Sequence, residues 1–199
     1  MISTTIPEHL DADELLHLAL RAADQNRHEE AITLLKRALA LAPGDARLHY
    51  MLGAEHAQIG MYERASEEMS AAVELDPSLN TAHFQLGLLH LTSGRVPQAE
   101  RAWKPLDALE PNNYLRLLKT GLEHLARDEF SESADFLRRG IAANQVNATL
   151  NVDMQRLLQT VEEKIGSATA SPTSAKPAGA PVTPAPLSAY RRNRADGQD

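Results

Sequence analysis

The sequence contains no cysteine, few aromatic residues and no long hydrophobic run. The absence of cysteine excludes disulfides, thiolate metal sites and a cysteine nucleophile. Aromatic residues make up only 4% of the 199 residues, while Ala, Leu and Glu are abundant, and this mixture favours helix over sheet. No stretch approaches the roughly 18 uninterrupted apolar residues of a membrane span. The composition therefore indicates an all-α protein that does not insert into a membrane.

A basic surface and a leader-like N-terminus are also missing. The formal net charge is −7, which argues against a nucleic-acid partner because phosphate contacts need a basic face. Residues 1–13 have neither a basic start nor a continuous apolar run, so they do not resemble a secretory signal. We therefore expect a cytoplasmic location.

No catalytic motif is found either. The sequence has no phosphate-binding glycine loop, no nucleophile elbow and no metalloprotease helix signature. We therefore predict no catalytic residues, no cofactor and no bound metal, and we expect that the protein is not an enzyme.

The sequence does contain a 34-residue repeat. Two sets of residues recur with this period, namely Pro43, Pro77 and Pro111, and Gly53, Gly87 and Gly121. Within a unit the apolar residues recur three and four apart, which predicts two amphipathic helices per unit. We place four units at 12–45, 46–79, 80–113 and 114–147, after an N-terminal extension at 1–11.

The predicted helices have marked ends. Residues that tolerate a left-handed backbone divide each unit into halves, at Asn26, Gly60, Gly94 and Asp128. Good N-cap residues precede three of the first helices and the helix after the fourth unit, at Asp11, Asp45, Asn113 and Asn147. Asp11 with Glu14 indicates a capping box, and Leu79 breaks the N-cap series, so that Ser78 or Asn80 would have to cap there. Pro105 lies inside the second helix of the third unit and should kink or interrupt it.

The C-terminal quarter of the chain differs in character from the repeats. Residues 148–166 carry an apolar stripe in phase with the repeat and are predicted to be a capping helix, because an open stack must cover its last interface. Residues 167–199 are rich in Pro, Ala and Ser, and we predict a disordered tail.

The repeat resembles the tetratricopeptide repeat family. The third unit shows the pattern most fully, with Leu86-Gly87, then His90, Ala99, Trp103 and Pro111, and the likeness covers residues 12–147. It departs from the family in lacking Trp and Tyr at two positions of the first helix. The resemblance implies a right-handed α-solenoid of about four helix-turn-helix units that binds another protein.

The resemblance also implies a concave groove lined by the first helices. The fifth, ninth and twelfth residues of the four units would face it, and all twelve are apolar: Leu16, Leu20, Ala23, Tyr50, Ala54, Ala57, Phe84, Leu88, Leu91, Leu118, Leu122 and Leu125. The positions of the family's carboxylate clamp carry no base here, and they are Leu16, Leu20, Met51, Thr81 and Gln85. An apolar groove instead suits an amphipathic helix or an extended hydrophobic segment. The candidate partner-binding residues are Leu16, Leu20, Tyr50, Met51, Ala54, Phe84, Leu88, Leu91, Leu118, Leu122 and Leu125.

Three interpretations of these apolar residues remain open. They bind a partner protein, or they are covered by the protein's own tail or by a second copy in a homodimer, or they simply pack against one another. If these residues bind a partner protein, the protein is an adaptor or chaperone. In that case it resembles the bacterial chaperones that shield hydrophobic translocator proteins. The alternative function is a scaffold subunit of a secretion, pilus or envelope machine that acts through its outer surface and tail.

Histidines also follow the repeat. One set comprises His56, His90 and His124, and another comprises His49 and His83. A column of histidines suggests a metal or proton-sensing site. The interpretation we favour is that histidine replaces the bulky packing residue of the repeat, with a mild pH dependence of stability.

Overall fold

The computed structural model describes residues 10–170, which form an all-α helical-repeat fold. Three helical hairpins are complete, α1–α2 (Ala12–Asp24, His28–Leu41), α3–α4 (Ala46–Gln58, Tyr62–Leu75) and α7–α8 (Tyr114–Ala126, Phe130–Ala143). In the remaining hairpin, α5 (Asn80–Thr92) is followed by a short α6 (Val96–Trp103) and a 3-10 segment (Lys104–Ala108). A long α9 (Ala148–Ala170) ends the described part, in which no strand occurs.

The chain divides into two compact units between Pro77 and Ser78. In unit 1, α1 packs against α2, α2 against α3, and α3 against α4. In unit 2, α5 packs against α6, α7 against α8, and α8 against α9, while the 3-10 segment contacts both α5 and α7.

The predicted helix starts are confirmed at four positions. Asp11 accepts a hydrogen bond from the Glu14 amide at 2.8 Å, and the Glu14 carboxylate accepts one from the Asp11 amide at 3.0 Å, which completes the capping box. Three further N-caps accept amide hydrogen bonds through their side chains, namely Asp45, Asn113 and Asn147. Helix α5 differs because its N-cap is Leu79, whose side chain cannot accept a hydrogen bond.

The predicted breaks between helices are also confirmed. The backbone takes a positive φ at Asn26 (60°), Gly60 (78°), Gly94 (72°) and Asp128 (59°). These residue types bear the left-handed conformation at low cost, so the same tight turn joins the helices of all four hairpins.

The interruption of the third hairpin follows from Pro105. Helices α2, α4 and α8 each have 14 residues, whereas α6 has 8. Proline removes an amide donor and clashes with the preceding turn of an α-helix, so the chain continues beyond Trp103 as a 3-10 segment. The sequence prediction of an interrupted second helix is confirmed.

Helix α9 ends later than the sequence predicts. It continues to Ala170, so residues 167–170, which we assigned to the tail, are helical. The first proline of the tail is Pro172, and nothing between 167 and 170 removes a backbone donor. The rest of the predicted disordered tail, from 171 to 199, lies outside the described residues, as do residues 1–9. Helices long and apolar enough to span a bilayer are not found within 10–170.

Candidate functional site

Most of the predicted groove residues are buried. Seven of the eleven candidates have little exposed surface: Leu16, Tyr50, Ala54, Phe84, Leu88, Leu118 and Leu122. They are not available as an open apolar surface in this structure, and for them the packing interpretation describes what is observed.

Two contacts in unit 2 show why these side chains are buried. The ring of Phe84 lies 6.5 Å from the ring of Trp103 on the following helix, and the Trp103 indole N–H donates to the Phe84 carbonyl at 2.9 Å. Leu118 packs closely on Gly140 of α8, where an added Cβ would lie 2.6 Å from a Leu118 methyl carbon. Both residues therefore face the second helix of their own hairpin.

The other four candidates remain partly exposed. Leu20 and Met51 lie in unit 1, where they pack at the edge of the core of α1, α2 and α3. Leu91 and Leu125 lie in unit 2, one repeat apart on α5 and α7, which contact each other. Of the eleven candidates, two in each unit therefore keep exposed apolar surface, which is fewer than the sequence predicts.

The most exposed large apolar side chains of residues 10–167 are not among the predicted site residues. They are Leu41, Ile59, Leu75, Val146 and Val152. Leu41 and Leu75 are 34 residues apart and both end a second helix. Single exposed apolar residues at helix ends are ordinary in folded proteins. Leu41 and Leu75 therefore provide control positions for a test of partner binding.

The histidines of the repeat make different contacts in different units. His49 Nδ1 lies 2.7 Å from a Glu68 carboxylate oxygen, and His124 Nδ1 lies 2.6 Å from one of Glu129. His83 instead contacts the Ala102 carbonyl at 3.0 Å. Each imidazole thus contacts the second helix of its own hairpin or the turn before it, as expected for a packing residue.

His56 and His90 form a separate class. In both rings Nδ1 is buried and has no hydrogen-bond partner among the described residues. Burial lowers the pKa of His56, with the Lys36 charge as the next cause. Burial also lowers the pKa of His90, followed by the charges of Arg95 and Arg101. Both side chains therefore favour the neutral imidazole in the folded protein.

These two lowered pKa values predict a loss of stability on acidification. The unfolded chain binds protons near the ordinary histidine value of 6.5, while the folded chain does not until a lower pH. The free energy of unfolding should therefore be level above this pH and fall as the pH drops from 6.5 toward the folded pKa values. Urea titrations from pH 7.5 to 5.0 measure this slope, and we expect it to be shallower in His56→Gln.

The control for the acid prediction is His17→Gln. His17 is exposed on α1 and contacts the Asp13 carbonyl at 2.8 Å. This variant should keep the wild-type slope. Equal slopes in wild type and His56→Gln would show that burial of His56 does not govern the acid response.

One contact joins a histidine to an acid that sequence reasoning did not pair. His28 Nδ1 lies 2.8 Å from a carboxylate oxygen of Glu55, and the Glu55 side chain is almost fully buried between α2 and α3. The two residues are 27 apart, which fits no repeat spacing. The only sequence signal for this contact is that Glu55 lies on α3, a helix whose apolar residues do not form one clear face.

A charged cleft in unit 2 was likewise missed. It has a volume of about 500 Å³ and is lined by Pro97, Glu100, Arg101, Lys104, Asp107, Glu123 and Arg127. These residues lie on α6, the 3-10 segment and α7. Pro105 is the sequence signal that pointed to this place, because the cleft lies where the second helix is interrupted.

Two acidic groups of the cleft, Asp107 and Glu123, are held by lysines. The buried Lys119 ammonium lies 2.6 Å from Asp107 and 3.0 Å from Glu123, and Lys104 lies 3.1 Å from Asp107. The hydrogen bond from Lys119, followed by that from Lys104, holds the pKa of Asp107 below its ordinary value against the opposing effect of burial. Lys119 thus ties the 3-10 segment to α7. Residues 10–167 contain no group of three His, Asp or Glu side chains placed to hold a metal ion.

Comparisons with known proteins agree with this helical repeat. Residues 22–81 match a family model described as Tetratricopeptide repeat. Among solved structures, a crystal structure of MamA is 21% identical, with 66% of this chain and 77% of that chain covered and a TM-score of 0.57. The structure titled MamA 41-end from Desulfovibrio magneticus RS-1 is 16% identical, covers 80% and 89%, and has a TM-score of 0.58. At these identities the likeness shows the fold alone. A comparison with curated protein sequences gives no significant match.

Proposed function

Because this chain is a tetratricopeptide-repeat protein, we propose that it is a non-enzymatic adaptor or chaperone for another protein. The partner contributes a hydrophobic helix or an extended apolar segment, which binds along the first helices of the repeats. In this proposal the protein acts in the cytoplasm, with no nucleic-acid partner, no membrane insertion and no cofactor.

The observation that carries the proposal is the pair Leu91 and Leu125. These apolar side chains remain partly exposed on neighbouring first helices of unit 2, at equivalent positions of successive repeats. Leu20 and Met51 are also partly exposed on the first helices of unit 1. Burial of such side chains under a partner helix stabilises the complex by roughly 25 cal/mol per Å² of apolar surface removed from water.

The test compares partner binding by two matched double variants. Leu91→Glu/Leu125→Glu places two charges on the proposed surface, and Leu41→Glu/Leu75→Glu places two charges on exposed leucines elsewhere. Affinity purification from the native cell with mass spectrometry, on variants shown to be helical by circular dichroism, should lose the partner only in the first. Binding should also survive high salt, because apolar burial is not screened.

A scaffold role is the second candidate function. In that case association depends on the outer surface and on residues 171–199, with their basic end at Arg191, Arg192 and Arg194. Deletion of 171–199 would then abolish association while Leu91→Glu/Leu125→Glu leaves it intact. If instead the tail or a second copy covers the first helices, the same deletion or dilution would strengthen partner binding.

A further inference from the structure

The cleft of unit 2 lies beside the interruption of the second helix of the third hairpin. Helix α8 of the next hairpin has 14 residues, whereas α6 has 8. Here α6 stops at Trp103, and the 3-10 segment is held against α7 by Lys119 and by the Arg116 guanidinium, which donates to the Leu109 carbonyl at 2.5 Å. These contacts hold the interrupted segment against α7 beside the cleft.

The charges of the cleft do not balance. Its three acids are each contacted by a base, since Asp107 and Glu123 bind Lys119 and Glu100 lies 3.9 Å from Arg127. The side chain of Arg101 is exposed and has no ion pair or hydrogen bond with any described residue. The lining residues carry three bases and three acids, and the buried Lys119, which contacts two of those acids from outside the lining, adds a fourth base in a chain of net charge −7. An uncompensated positive charge in this acidic protein is centred on Arg101.

The neighbouring turn adds to the positive field. Arg95 at the start of α6 has Nε and Nη2 buried without a hydrogen-bond partner among residues 10–167. Burial lowers the pKa of His90, and the charges of Arg95 and Arg101 lower it further. The equivalent position of the next hairpin carries Glu129, which pairs with His124. The third and fourth hairpins thus carry opposite charges at this position.

We propose that this cleft binds a carboxylate from an acidic segment of a partner protein, with Arg101 as its main contact. A guanidinium presents paired N–H donors that match the two oxygens of a carboxylate, and charge-assisted hydrogen bonds of this kind are stronger than neutral ones. Lys104 and Arg127 stand on the same lining, and Pro97 supplies an apolar edge. The site uses none of the apolar residues of the proposed groove, so it stands or fails independently of the groove.

An acidic peptide fits better than a nucleic acid. A phosphate backbone presents a row of charges and requires an extended basic surface. The cleft has one uncompensated charge, and Glu100, Asp107 and Glu123 would repel further phosphates. A single carboxylate meets Arg101 without approaching all three acids.

Fluorescence anisotropy with the full chain tests the proposal. The probes are a labelled peptide with a single Glu, the same peptide with that Glu replaced by Gln, and a short single-stranded oligonucleotide. The variants are Arg101→Glu and Lys164→Glu, which change the net charge equally. Lys164 is an exposed residue of α9 away from the cleft lining. We expect wild type to bind the glutamate peptide over the glutamine peptide, and Arg101→Glu to weaken this binding about tenfold or more while Lys164→Glu changes it by less than about twofold.

Further variants separate charge from fold. Arg101 is exposed, so Arg101→Gln and Arg101→Lys should fold, and the lysine variant should retain more binding than the glutamine variant because it keeps the charge. Equal weakening by Arg101→Glu and Lys164→Glu would show only a general effect of net charge and overturn the proposal. Equal binding of the two peptides would overturn it, as would an Arg101-dependent preference for the oligonucleotide.

Discussion

We expect the Gly87→Ala variant to lose about 3 kcal/mol or more of unfolding free energy, at the upper end of the usual range for added core volume. A Cβ at this position would lie 2.1 Å from Nε1 of Trp103 and 2.4 Å from two further ring atoms. The indole cannot move aside easily, because it is almost fully buried and its N–H donates to the Phe84 carbonyl. Urea unfolding monitored by circular dichroism measures the loss, and tryptophan fluorescence reports displacement of the ring.

Gly121→Ala is the matched control. It occupies the equivalent position one repeat later, where an added Cβ would lie 3.0 Å from Leu137 Cγ. A leucine side chain can shift by a few tenths of an ångström, and alanine gains about 1 kcal/mol of helix propensity over glycine, so the net loss should be about 1 kcal/mol or less. Equal losses at Gly87 and Gly121 would show that backbone effects, and not contact with Trp103, decide the cost.

The second large effect is expected at Asn144, which joins α8 to α9. Its side-chain amide donates to the Asn147 carbonyl at 2.9 Å and to Asn151 Oδ1 at 2.8 Å, while its oxygen accepts from the Asn147 amide at 3.0 Å. The Asn144 side chain that makes these hydrogen bonds is nearly fully buried. Asn144→Ala should therefore cost about 3 kcal/mol, because it leaves more than one buried polar group without a partner.

We expect the loss of stability in Asn144→Ala to appear as detachment of α9 from α8. Hydrogen exchange on intact protein should show faster exchange over Ala148–Ala170 in the variant, with α7 less affected. Gln145→Ala next to it is the control, since Gln145 is exposed and its single side-chain bond reaches the Ala142 carbonyl. A loss at Asn144 no larger than that at Gln145 would contradict a structural role for the asparagine network.

The helical-repeat fold is readable from the sequence because it depends on local chemistry. A fixed period of proline and glycine, N-caps such as Asp11 and turn residues such as Asn26 each act within a few residues of the chain. Pro105 likewise predicts the interruption of its helix, because the effect of a proline is confined to the neighbouring turn. These signals require no knowledge of which helices meet in space.

The candidate site is less readable because it depends on which face of each helix is covered. Phe84 occupies a groove position of the family, yet it packs on Trp103 of its own hairpin. Counting along a repeat gives the direction of a side chain, while its exposure depends on the size of the neighbours. The charged cleft combines Arg101 with Asp107 and Glu123, and only the folded 3-10 segment brings them to one recess. The His28–Glu55 contact follows from helix packing in the same way.

The turn that joins the two helices has the same backbone conformation in every hairpin. Equivalent positions of the repeats can therefore carry different residues without a change of fold. The residue five after the repeat histidine illustrates this, for it is Met61 beside His56, Arg95 beside His90 and Glu129 beside His124. One position of the repeat thus carries a neutral residue, a base and an acid in three successive hairpins. A substitution there changes the local charge of one hairpin and leaves the fold unchanged.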